Sequence, residues 1–176
     1  MPGCLGVSDC ASVAQYLVNF NQPIAWSLLV TDIIFCPYCD ADRDACMSLF
    51  DANCPDFFAP NERPDYVEFL DGTPEGYEVC KVDGRVCGAF GLIADGQDIK
   101  RLNWILIDPR MQGLGVGSKI MKRVVRSGRQ SQTRIVKIAA SHKSATFFAR
   151  FGAIVISSTK DGWGPGMDRV DMELAL

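Results

Sequence analysis

Apolar and polar residues change period several times along the chain, and each change marks an element. Ser8–Phe20 has helical spacing closed by Asn21-Gln22-Pro23, and Ala25–Phe35 is an apolar run long enough for one strand or two. From Asp40 the spacing predicts a helix to about Ala52. Ala45, Cys46, Leu49 and Phe50 share one face, Asp40 or Asp42 caps the start, and Asn53-Cys54-Pro55 breaks the end. A second helix is predicted from near Asn61, with Glu62 and Pro64 in its first turn, to Asp71-Gly72. The period then drops to two. Tyr77–Val82 and Arg85–Ile93 read as strands joined by Asp83-Gly84, a strong two-residue hairpin signal. Asp95-Gly96 turns the chain into a strand at Leu102–Ile107, and helical spacing returns at Ser118–Val125. The remainder reads as a strand (Arg134–Ala140), a short helix (Ser144–Phe151) stopped by Gly152, and a strand (Ala153–Ser157). A loop (Thr159–Met167) and a final alternating strand (Val170–Leu176) complete it. Helices interspersed with hairpin-linked strands predict an α/β (α+β) fold on a mixed, mostly antiparallel sheet, with no internal repeat.

The chemistry concentrates between two of these elements. Trp104-Ile105-Leu106-Ile107 is stopped by Asp108-Pro109, and Gln112-Gly113-Leu114-Gly115-Val116-Gly117-Ser118 then opens directly into a helix. Strand, glycine-rich turn and helix in succession make an anion cradle: the missing Cβ atoms let main-chain N–H groups approach a phosphate, and the helix start adds partial positive charge. A nucleotide P-loop requires GxxxxGK[ST], and here the spacing is wrong and Ser118 precedes Lys119. A dinucleotide fingerprint requires a glycine where Ser118 stands and an acidic residue near Gln130–Thr133, where there is none. Both familiar glycine fingerprints fail.

Composition narrows the class. The 176 residues are 48% hydrophobic and 22% charged with a net charge of −3, the profile of one globular domain with nothing to suggest nucleic-acid binding. Lys119, Lys122, Arg123, Arg126 and Arg129 form a local basic face beside the cradle, most simply a solvated helix surface. No apolar run reaches 18 residues and no basic-then-apolar leader stands at the start, so neither membrane nor secretion is expected and the expected location is cytoplasmic. The eight cysteines are then expected as reduced thiols. Cys36 and Cys39 form a CxxC, but Cys46 falls in a predicted helix and no second CxxC follows, so no metal is expected.

The pattern Gln-x-x-Gly-x-Gly, met by Gln112, Gly115 and Gly117 after a strand and an Asp-Pro, resembles the coenzyme A loop of the GNAT family of N-acetyltransferases. A second family pattern, roughly Asn-x-x-Ala-x-x-Phe-Tyr-x-x-x-Gly-Phe, has its counterpart in Ser141 to Ala153, with Phe147, Phe148 and Gly152 at the matching places. The resemblance runs from about Ile33 to the C-terminus. It divides the chain into an N-terminal extension of unassigned role at 1–30 and an acetyltransferase domain at 31–176. It implies the acyl-CoA N-acyltransferase fold, with splayed central strands flanked by helices, and acetyl-CoA as co-substrate. Main-chain groups of Ile105 and Ile107 are then expected to hold the pantetheine arm, and those of Gln112, Gly113, Leu114, Gly115, Val116, Gly117 and Ser118 the pyrophosphate, with Ser144 and Phe148 against the cofactor. The acceptor would be an amine of a small molecule or peptide. Asp51–Pro64 and Lys160–Met167 would line its site, where Asp56, Glu62, Asp65, Glu68 or Asp161 can meet a cation and Phe57, Phe58 or Trp163 can stack on it. The oligomeric state stays open, a homodimer included.

Two departures stand out. Ser141 replaces the family's frequent asparagine, and Phe148 replaces the tyrosine that often protonates the leaving thiolate. Phenylalanine packs but donates no proton, so no catalytic residue is assigned; His142, Ser144, Tyr38, Tyr66 and the cysteines are unranked substitutes. The same departure keeps a second expectation in play, a coenzyme A-binding sensor or regulatory module without catalysis.

Overall fold

The computed structural model describes residues 33–176. The helix expected at Ser8–Phe20, most of the Ala25–Phe35 run, the 1–30 extension, Cys4 and Cys10 lie outside the described residues. The elements are β1 (Ile34–Pro37), α1 (Arg43–Asn53), α2 (Arg63–Asp71), β2 (Tyr77–Val82), β3 (Arg85–Ala94) and β4 (Ile99–Ile107), followed by α3 (Val116–Gln130), β5 (Ile135–Ser141), α4 (Ala145–Ala149), β6 (Ile154–Gly164) and β7 (Met167–Ala175). The strands form one sheet in the order β1-β2-β3-β4-β5-β7-β6, antiparallel throughout except for the β4–β5 pair. No described helix is long and apolar enough to cross a membrane.

Alternation along the strands sorts two cores onto the two faces. Val79 and Ala89 point to one side, where α1 and α2 cover them with Cys46, Leu49, Phe50, Tyr66 and Leu70. Their neighbours Cys80 and Phe90 point to the other, under Val116, Ile120, Met121 and Val124 of α3 and Phe148 of α4. The β2–β3 connection is the expected tight turn, with φ of 50° at Asp83 and 74° at Gly84, the positive pair that a twisted two-residue hairpin demands.

Two stretches differ from the sequence expectation. β4 starts at Ile99, because its first residues are paired on both sides, with β3 from Lys100 opposite Ala94 and with β5 from Ile99 opposite Ile135; Arg101 and Lys137 there both pair with Asp95. Most of the expected Thr159–Met167 loop is strand: β6 continues to Gly164. Its polar groups are met locally, with Asp168 accepting from Asp161 N–H (2.9 Å) and Asp161 accepting from Gly166 N–H (2.6 Å).

The feature that positions the site is a fork. β4 and β5 pair only over Ile99–Leu102 with Ile135–Ile138. Beyond that, β4 stays with β3 as far as Ile107, while β5 stays with β7 as far as Ser141. A bulge in β4 begins the separation: Ala89 faces Leu106 and Gly91 faces Asn103, so Phe90 alone stands opposite Trp104 and Ile105. Trp104 has φ of 45°, a conformation a bulky residue holds only when its surroundings impose it. They do so here. Tyr77 Oη donates to the Trp104 carbonyl (3.2 Å) and shares a 2.7 Å bond with Tyr66 Oη, while the indole lies against Phe58 and Tyr66. Both tyrosines are buried, and burial pushes their phenols far above the usual range, so they serve as fixed neutral hydrogen-bonding groups.

Candidate functional site

The fork opens into a cavity of about 460 Å³, lined by Ile105 and Ile107 on one side, by Ser141 on the other, and by the glycine loop. Asp108 N–H donates to Cys87 O on the β3 side (2.9 Å). Because alternate residues of a strand turn their main-chain groups to opposite edges, Ile105 and Ile107 turn theirs toward the gap. One of these groups is already taken. The Asn53 amide donates to Ile107 O (3.0 Å) and to Leu49 O (2.8 Å), and its oxygen accepts from Gln112 Nε2 (3.4 Å). Asn53 thus ties the end of α1 to the end of β4 and to the loop; the sequence marked it only as a helix breaker.

The glycines of the loop act in different ways. Gly113 and Gly115 have φ of 76° and 87° with open space around them, so they serve the turn itself. Gly117 serves an approach: a Cβ there would lie 2.9 Å from the Phe147 ring and 3.1 Å from Ile107. Gly115 caps α3 without a side-chain hydrogen bond, and no acidic residue stands in the first turn. The N–H groups of Val116, Gly117 and Ser118 therefore have no intrahelical partner and point at the cavity end with the helix dipole behind them. Gln112, Gly113, Gly115, Gly117 and Ser118 line the cavity, whereas the Leu114 side chain is exposed and that of Val116 is in the core. At Val116 only the main chain is available, and at Leu114 the main-chain N–H already donates to Met111 O (3.4 Å).

Beyond the loop, Lys143, Ser144, Phe147 and Arg150 complete this end, which therefore carries two cations and no carboxylate among the described residues. Ser144 Oγ lies 3.2 Å from Ser141 O, fixing the start of α4 on the end of β5. Phe148 requires a correction. It was expected against the cofactor, but it is 2% exposed and sits in the α3-side core, and Phe147 takes the place on the cavity wall. The phase of α4 decides this. Gly117 admits the ring of Phe147, and its successor then turns inward onto Ile120 and its neighbours in the core.

The opposite end is made by the segment between α1 and α2 and by the β6–β7 hairpin. Phe57, Phe58, Glu62 and Trp163 line it; the other carboxylates expected there, Asp56, Asp65, Glu68 and Asp161, do not. The two segments are joined. Asn61 Nδ2 donates to Trp163 O (3.0 Å), and the indole N–H donates to Ala140 O (3.1 Å). Glu62 is 6% exposed, and one of its oxygens accepts from Ala59 N–H (2.7 Å). Burial raises its carboxyl above the usual range; Ala59 opposes the rise and Asp65 adds to it.

The other groups considered for proton transfer lie elsewhere. Tyr38 and Tyr66 belong to the α1–α2 core, and the exposed His142 accepts from Asp168 N–H through Nδ1 (3.1 Å). Burial lifts the Cys46 thiol to about 11, away from the cavity. Among the described residues no group of three His, Cys, Asp or Glu is placed to hold a metal ion.

Residues 46–153 match the sequence profile of the acetyltransferase (GNAT) family. Solved structures with the same fold include a Mycobacterium tuberculosis protein in complex with CoA (19% identity, TM-score 0.65, covering 81% of this chain and 99% of that one). They also include the ribosomal-protein-alanine N-acetyltransferase of Brucella melitensis (16%, 0.64, 81% and 99%) and the Salmonella typhimurium protein yncA with acetyl-CoA (16%, 0.61, 83% and 95%). A search of curated proteins finds no match. With the profile spanning more than half of its length and the forked sheet behind it, the chain belongs to the GNAT family of acetyltransferases.

Proposed function

We propose that the fork binds acetyl-CoA as co-substrate and that residues 31–176 form the domain that transfers its acetyl group directly to an amine. The observation that carries this reading is the alignment of an uncapped, glycine-built helix start with the open edge of a splayed strand. The N–H groups of Gly113, Gly115, Val116, Gly117 and Ser118 receive the pyrophosphate, that of Leu114 being bonded to Met111 O (3.4 Å), with Gln112 held in register by Asn53. Lys143 and Arg150 add positive charge at the same end. Free main-chain groups of Ile105 and Ile107 hydrogen-bond the pantetheine arm as a further strand would, and Ser144 and Phe147 pack its other side. An N–H of β4 directed at the thioester oxygen polarises the carbonyl; loss of one such donor costs acyl-transfer enzymes about 3 kcal/mol. Holding both substrates in one cleft contributes much of the remainder.

A second reading, a coenzyme A-binding module without turnover, is favoured by one observation: Phe148 stands where the family's tyrosine would protonate the leaving thiolate. The readings separate in one experiment. With acetyl-CoA and a panel of amines, amino acids and peptides, free thiol is expected to appear with at least one acceptor, and acetyl-CoA alone is expected to raise the melting temperature. A raised melting temperature with no thiol release across the panel would favour the module.

A further inference from the structure

The acceptor end of the cavity is specific enough to name its ligand. It contains one ionisable group of suitable charge, Glu62, and three aromatic walls, Phe57, Phe58 and Trp163. Glu62 is held in place: Ala59 N–H occupies one carboxylate oxygen, and the Glu62 N–H returns to Ala59 O (3.0 Å). No cation among the described residues forms an ion pair with it. The titratable groups that act on it are Asp65 of α2 and Cys54 of the α1–α2 segment, both acids; Lys143 and Arg150 line the same cavity but neither pairs with it. A buried carboxylate without a cationic partner, walled by aromatic rings, calls for a cation from outside. The bond from Asn61 to Trp163 joins the two walls, and the fit is close: a Cβ on Gly164 would lie 2.8 Å from Asn61 Oδ1. The cavity of about 460 Å³ must also admit the acetyl-bearing arm of the cofactor, so this end suits a compact group more than a long chain.

We propose that this pocket receives the acceptor as a small primary ammonium on an aromatic or apolar carrier, without a neighbouring carboxylate, and that Glu62 takes the proton that frees its nitrogen. The inference rests on the acetyl-transfer reading above. The ammonium gives one proton to the Glu62 carboxylate, which later returns it to solvent. The freed lone pair forms the N–C bond, the C–S bond breaks with its electrons on sulfur, and the thiolate takes the second nitrogen proton directly or through water. The products are the amide and free coenzyme A thiol, with one proton released. A free amino acid would set its own carboxylate beside Glu62 and be disfavoured.

The test uses the full chain, acetyl-CoA and three probes: phenethylamine, phenylalanine and a short peptide with an N-terminal phenylalanine. Phenethylamine is expected to be acetylated, with kcat/KM at least about tenfold above either of the others. Glu62→Gln keeps an oxygen for Ala59 N–H, so the fold and the acetyl-CoA-dependent rise in melting temperature should persist while kcat/KM for phenethylamine falls about 100-fold or more. In the natural chain kcat/KM should be level between the pKa of Glu62 and that of the amine. In Glu62→Gln it should climb with pH across that interval, because only free amine then reacts. Phe57→Ala should raise KM about tenfold with little change in kcat. Acetyl-CoA binding without phenethylamine turnover, faster reaction of phenylalanine or the peptide, or a Glu62→Gln enzyme within about threefold of the natural chain and with the same pH profile would each overturn the inference. Failure of acetyl-CoA to bind would instead remove the acetyl-transfer reading, and this inference with it.

Discussion

Gly117→Val is expected to weaken acetyl-CoA binding by about 100-fold or more, close to 3 kcal/mol, while leaving the melting temperature within a few degrees of the natural chain. Position 117 lies in the first turn of α3, where a side chain would enter the space now filled by the Phe147 ring at 2.9 Å and Ile107 at 3.1 Å. The ring is backed by Phe148 and Phe151, with centroids 5.1 and 5.2 Å away, so its free direction is the cavity. Displaced that way, it occupies the room needed by the arm, and the new methyl groups stand before the helix N–H groups meant for the pyrophosphate. The ring is only partly buried, which is why the cost falls on binding more than on folding. Calorimetric titration with acetyl-CoA, beside a thermal melt of each protein, measures both quantities. A valine variant that binds normally would place the phosphates elsewhere.

Asn53→Leu is expected to lower both stability and affinity. The side chain is 4% exposed, and its amide satisfies Leu49 O and Ile107 O together. Leucine has similar bulk but no polar atoms, so the buried Leu49 carbonyl and the half-buried Ile107 carbonyl lose this donor and Gln112 loses its tie. A buried acceptor left unpaired costs about 1–3 kcal/mol. In a chain of this size, about 2 kcal/mol corresponds to roughly 4–8 °C of melting temperature. Urea unfolding measures the first effect. A fall in acetyl-CoA affinity beyond what the residual folded fraction explains would show that Asn53 also shapes the fork. An Asn53→Leu protein as stable as the natural chain would contradict the role given to this amide.

Local patterns made much of the fold legible in the sequence. The Asp83-Gly84 hairpin, the strand-to-helix passage through Gln112–Ser118 and the alternation in β2 and β3 each depend on residues a few positions apart. What was not legible depends on distant partners. The Trp104 bulge is imposed by Tyr77 and the aromatic packing of Tyr66 and Phe58, none of them near it in sequence. Asn53 reads as a helix breaker because its second role is on Ile107, 54 positions away. The exchange of Phe147 and Phe148 arises from the phase of a five-residue helix, too short for periodicity to define. Glu62 stood among five carboxylates of equal standing, and burial and the bond to Ala59 N–H single it out.

A structure of the full chain determined with acetyl-CoA tests the central claim most directly. The pyrophosphate is expected on the main-chain N–H groups of Gly113 and of Gly115 to Ser118, with the arm between β4 and β5 and the thioester pointing toward Glu62. Acetyl-CoA bound outside the fork, or no binding at millimolar concentration, would contradict it.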